Sequence, residues 1–99
     1  MYIFIRADID PTYQIIQTGH ALFEHAIKLD KKPEQISSFC LLQAKDEKDL
    51  LKISSELEMK DINFTIFNEP DYDTGYTAIA AGPIYGKDRK MFKKFKYFK

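Results

Sequence analysis

YIFIRADIDPTYQIIQTGHALFEHAIKL, Tyr2–Leu29, decides how the rest of the chain is read. Tyr2–Asp8 is a short β-rich run with apolar residues at both parities, the pattern of a strand buried on both faces. Asp8–Thr12 then breaks the run, and Pro11 and Thr12 suit the first positions of a helix. A helix is expected from about residue 12 to residue 29. At 100° per residue, Ile15, Gly19, Leu22, Phe23, Ala26 and Leu29 fall on one side, expected to be the core face. Tyr13, Gln17, His20 and Glu24 form a stripe about 60° wide along its border. Gly19 is the anomaly, because glycine costs a helix interior roughly 0.5–1 kcal/mol relative to alanine. A glycine facing the core would admit a close backbone, and it would set His20 beside a cleft. The alternative for His20 is a surface histidine bonded to Glu24 or Gln17. His25 lies well round the helix and is expected in solvent.

Outward from this unit the elements alternate. LDKKPEQ is a charged loop broken by Pro33, and Ser37–Ala44 reads as a second buried strand. Asp46 and Glu47 open a second helix whose apolar side carries Leu50, Leu51, Ile53, Leu57 and Met59. Ile62–Asn68 alternates as a third strand, EPDYDTG is a turn-rich loop, and Tyr76–Gly82 is an alanine-rich fourth strand. The order β-α-β-α-β-β-α predicts an α/β fold: one domain over residues 1–99, with a mixed four-stranded sheet and helices packed on it. Strands one and three should run parallel, which brings the start of the first helix and the acidic loop to one edge. Crevices at the carboxyl ends of strands are where open α/β sheets bind ligands.

The 99 residues suffice for one core, and 44% hydrophobic content with 14 aromatics supplies it. Cys40 excludes an internal disulfide and reads as a buried, reduced thiol, in keeping with a cytoplasmic protein. The N-terminal stretch carries Arg6, Asp8 and Asp10 and has neither signal-peptide nor membrane-span character. The net charge of zero conceals an asymmetry. Residues 1–86 hold 8 Lys/Arg against 14 Asp/Glu, a net of −6, and residues 87–99 hold 7 against one, a net of +6. That basic tail, with Phe92, Phe95, Tyr97 and Phe98 between its lysines, points to a polyanionic partner. Its aromatics also suit docking on the body, with the lysines merely solvated. In EPDYDTGYT, the carboxylates Glu69, Asp71 and Asp73 suit acid/base work or a solvated turn. With only His20 near enough to join them, a metal site is not expected. No phosphate loop or nucleophile elbow is present.

RADIDPTYQIIQTGHA (Arg6–Ala21) resembles the first strand end and helix of the type 2 peptidyl-tRNA hydrolases. FCLLQAKDEKDLLKISSELEMKDINFTIFNEPD (Phe39–Asp71) resembles that family's next strand, helix and strand, and YTAIAAGP (Tyr76–Pro83) its final strand. The resemblance covers nearly the whole chain in order. It implies hydrolysis of the ester of peptidyl-tRNA, or of a related aminoacyl-tRNA, with tRNA as partner and no cofactor or metal. By the same resemblance Gln17, His20, Thr77 and Asp71 are the expected catalytic residues, with Asp73 competing for the place of Asp71. The family's usual lysine, four residues ahead of the glutamine, is Tyr13 here. Its charge would then come from Arg6 or from tail lysines such as Lys93 and Lys94, or activity is altered or lost. The alternatives are a catalytically inactive tRNA-binding protein of the same fold, or a protein-interaction module that pairs with a second copy through the sheet edge or the tail.

Overall fold

The computed structural model describes residues 1–30 and 38–98. The expected loop break at Pro33 and strand start at Ser37 lie outside them. The elements are β1 (Tyr2–Arg6), α1 (Pro11–Lys28), β2 (Cys40–Ala44), α2 (Glu47–Met59), β3 (Phe64–Glu69) and β4 (Gly75–Ala81). A 3₁₀ turn, Asp71–Asp73, joins β3 to β4, and a longer 3₁₀ segment, Gly86–Lys94, follows β4. The strand order is β2-β1-β4-β3. β1 and β2 are parallel, and β4 runs antiparallel to both β1 and β3. β1 and β3 therefore point the same way, and their carboxyl ends share one edge as the sequence predicts.

Both helices start where their caps dictate. The Asp10 carboxylate accepts the Thr12 N–H at 2.9 Å with Pro11 at the first helical position. Asp46 accepts from Asp49 N–H at 2.9 Å, while Asp49 reaches back to Lys45 N–H at 2.7 Å. α2 covers one face of the sheet, packing Leu50, Ile53 and Leu57 on Phe4, Leu42, Ile79 and Ala81. Leu51 and Met59, expected on that apolar side, are exposed. α1 covers the other face, where Ala21 meets Ile5, Ala78 and Ala80. Among the described residues, no helix is long and apolar enough to cross a membrane.

The face α1 buries is not the one its apolar residues predict. Ile15 is 77% exposed and Phe23 69%, and Gly19 also faces solvent. The buried residues are Gln17, Ala21 and His25. His25, expected in solvent, is 1% exposed. Its Nε2–H donates to the Gly82 carbonyl at 2.7 Å, and its Nδ1 accepts the Thr65 hydroxyl at 2.9 Å. Burial of a polar ring costs little once both nitrogens are bonded. Gly19 is thus no packing concession: a Cβ placed on it meets nothing within 4 Å.

The basic tail is a clasp. Phe92 is buried, stacked on Tyr2 with centroids 4.0 Å apart, and Phe95 meets Phe4 edge-on at 4.9 Å. The chain then crosses the free edge of β2, where Gln43 N–H donates to Lys96 O (2.8 Å) and Phe98 N–H to Leu41 O (3.1 Å). Phe98 ends against the α1-side cluster. This pairing covers an edge that would otherwise present open backbone groups. Cys40, expected to be buried, is half-buried at the start of β2.

Gly19→Ala is expected to stabilise the protein by roughly 0.5–1 kcal/mol, and Phe92→Ala to destabilise it by about 3–5 kcal/mol. Urea denaturation of the two variants measures both.

Candidate functional site

The edge shared by β1, β3 and the start of β4 carries a seam of polar contacts against α1. The helix descends as β3 ascends: His25 meets Thr65, His20 meets Phe67, and Gln17 meets Glu69. Alternation along β3 puts residues 65, 67 and 69 on the same side.

Thr77 joins the seam through a bulge. Phe67 pairs with Ala78, but Asn68 pairs with Tyr76, so Thr77 is the extra residue of β4. By strict alternation with Ala78 and Ala80, which face α1, residue 77 would face α2. The bulge turns it instead to α1, as bulges commonly re-aim a side chain. Its hydroxyl, fully buried, donates to Gln17 Oε1 at 2.9 Å. Gln17 Nε2 donates onward to Glu69 Oε2 at 2.7 Å. This amide orientation is the one that satisfies both neighbours, since a carboxylate has no proton to donate.

Glu69 is the surface end of this chain. Its other oxygen accepts the Asp71 backbone N–H at 3.2 Å. The Gln17 hydrogen bond first, then the Asp71 N–H and the charge of His20, hold its carboxyl below the ordinary range. His20 is exposed and lies parallel on the Phe67 ring, 4.8 Å away and 5° from coplanar. It is bonded neither to Glu24, which pairs with Lys28, nor to Gln17. Its ring has no hydrogen bond among the described residues.

The structure thus brings together Gln17, His20 and Thr77 of the residues singled out from the sequence. It substitutes Glu69 for Asp71 as the carboxylate bonded to Gln17. Asp71 and Asp73 lie exposed in the 3₁₀ turn, Asp73 with φ 53°. The signal for Glu69 was the parity of β3, which continues from Thr65 and Phe67 into the residue before Pro70. Tyr13 sits one turn before Gln17 and is exposed.

Arg6 is already engaged. Its Nε and Nη2 bind both oxygens of Asp8 at 2.8 and 2.9 Å, and Nη1 donates to the carbonyls of Thr74 and Tyr76. It latches β1 to the entry of β4. From the other side the Glu47 carboxylate accepts the Tyr76 N–H at 2.8 Å. Glu47 also occupies the space a Cβ on Gly75 would need, and Gly75 has φ 77°, so this entry requires glycine. Lys93 and Lys94 belong to the tail segment that packs around Tyr2 and Phe4, at the opposite end of β1. No group of three or more His, Cys, Asp or Glu is arranged to hold a metal among the described residues.

The chain matches no family model and no curated protein.

Among the described residues two carboxylates have depressed pKa values, Glu69 and Asp8, the latter chiefly through its hydrogen bond to Arg6. A lowered folded-state pKa stabilises the fold above the unfolded value, about 4, and that stabilisation is lost as pH falls through the depressed values. These two carboxylates are therefore expected to leave the urea midpoint unchanged down to about pH 5 and to lower it below about pH 4. An Asp8→Asn/Glu69→Gln variant should show a shallower acid limb.

Proposed function

We propose that the chain hydrolyses the ester linking a peptidyl or aminoacyl group to tRNA, with the chemistry at Glu69 and His20. The observation that supports this most is the hydrogen-bond chain Thr77–Gln17–Glu69. It fixes one carboxylate within electrostatic reach of the His20 ring, which has no hydrogen bond among the described residues, at the carboxyl edge of the sheet. Gln17 and Thr77 are sealed from solvent and act as positioning residues. Glu69 or His20 takes a proton from water as the water oxygen attacks the ester carbonyl. The tetrahedral adduct then collapses, the bond from acyl carbon to ribose oxygen breaks, and the same proton passes to the leaving oxygen. Neither group needs a metal for this.

The residues at the seam bring no lysine to balance the charge that develops on the carbonyl oxygen, and Arg6 is spent on Asp8 and two carbonyls. Tyr13 offers one hydroxyl in place of the charge. A modest rate follows, and a cation at position 13 should raise it. Release of an N-blocked amino acid from its tRNA is expected to fall at least tenfold in His20→Ala or Glu69→Gln and to increase in Tyr13→Lys. Tight tRNA binding with no turnover in the wild-type protein would assign it instead to the non-catalytic binders. Full activity in both site variants would remove the seam from the mechanism.

A second reading has an observation of its own. The outward face of α1 shows Ile15, Ile16 and Phe23 around Gly19. An uncharged helical stripe of this kind suits contact with a second copy of the chain. Sedimentation equilibrium should then show a concentration-dependent mass that Phe23→Glu abolishes, and a constant monomer mass would dismiss it.

A further inference from the structure

The end of the sheet opposite Glu69 carries different chemistry. There the starts of β1 and β2 and the segment Gly86–Lys94 border an open cleft of about 340 Å³. Tyr2, Cys40, Arg89, Lys90, Lys93 and Tyr97 line it, and among the described residues no carboxylate does. The tail's cations fall into two groups. Lys94 pairs with Glu56 and lies over the Phe95 ring. Among the described residues no ion pair joins Arg89, Lys90 or Lys93. The Tyr2 hydroxyl takes only the Arg89 Nε–H, at 3.0 Å, which orients the guanidinium and leaves its terminal donors without a hydrogen bond among the described residues.

Tyr97 completes the set. Its backbone is pinned against Leu42 by an antiparallel bridge, while its side is open and the residue is 66% exposed. A ring held by its backbone and open to solvent is a stacking platform with little ordering left to do. Three cations without an ion pair among the described residues beside such a platform, in a cleft of nucleotide size, match how proteins hold single-stranded nucleic acid: charge on the phosphates and an aromatic face on a base. An acidic peptide would use the charge but leave the ring idle.

We propose that this cleft binds a strand of single-stranded nucleic acid, with Arg89, Lys90 and Lys93 on phosphodiester oxygens and Tyr97 stacked on a base. The site stands apart from the ester chemistry, since neither Glu69 nor His20 lines the cleft. It also separates Lys93, a ligand, from its neighbour Lys94, a structural residue.

Fluorescence anisotropy with a labelled twelve-nucleotide RNA, its DNA counterpart, a mononucleotide and a poly-glutamate peptide tests the proposal on the full chain. The strand is expected to bind with log K falling against log salt at a slope of about −2, three phosphates at roughly −0.7 each. Arg89→Gln/Lys93→Gln should weaken binding at least about tenfold and flatten the slope. Tyr97→Ala should weaken it about fivefold or more. Lys94→Gln should change it less than about twofold, and Glu69→Gln not at all. Circular dichroism of each variant confirms that it is folded. Equal losses from Lys94→Gln and Lys93→Gln would overturn the proposal, as would indifference to Tyr97→Ala. Poly-glutamate binding as tightly as the strand, or no strand binding, would also overturn it. Preference for RNA or for DNA identifies the strand, and tighter binding of the mononucleotide would overturn the proposal.

Discussion

The polar seam between α1 and β3 is the contact on which the rest of this structure depends. A helix with Ile15, Ile16 and Phe23 on one side would ordinarily bury that side. Here the opposite side is buried, because His25 and Gln17 have both of their polar ends answered: His25 by Thr65 and Gly82, Gln17 by Thr77 and Glu69. Small residues make this possible. Ala21 on the helix and Ala78 and Ala80 on β4 leave the middle of the interface thin enough for side chains at its ends to reach across. If a hydrogen bond in the seam is broken, a buried polar group is left unanswered, which costs more than the bond itself is worth. The seam therefore fixes the rotation of α1, and that rotation places His20 beside Glu69.

The same sheet separates two kinds of charge. At the carboxyl edge of β1 and β3, Asp8, Glu69, Asp71 and Asp73 gather with Arg6 already engaged. At the other end the tail closes the fold with Phe92 and Phe95 and leaves Arg89, Lys90 and Lys93 at its surface. These carboxylates and the three tail cations thus lie at opposite ends of β1, about 13 Å apart at 3.3 Å per residue. A polyanion is drawn to the tail end and repelled by the seam. The ester hydrolysis proposed for the seam then requires the tRNA to be held chiefly by contacts away from its reacting end.

Much of this was legible in the sequence. Both-parity burial of Tyr2–Ile5, the Asp46 cap and the short β3–β4 connection yield the sheet and its shared edge. The rotation of α1 was not legible, because a helical wheel weighs side chains by polarity and cannot see that Thr65 and the Gly82 carbonyl await His25. Glu69 was obscured for a related reason: its partner Thr77 faces α1 only through a bulge, and nothing in YTAIAA marks one. The tail's aromatics were readable as anchors. Its pairing with β2 was not, since KYF is too short to show a period.

Nuclear Overhauser contacts from the two histidine rings test the seating of α1 most directly. The account predicts cross-peaks from the His25 ring to Thr65 and from the His20 ring to Phe67, with Ile15 and Phe23 silent toward Ala78 and Ala80. Cross-peaks from Ile15 or Phe23 to those alanines, with His25 silent, would show the helix turned to its apolar face and would contradict the site built on it.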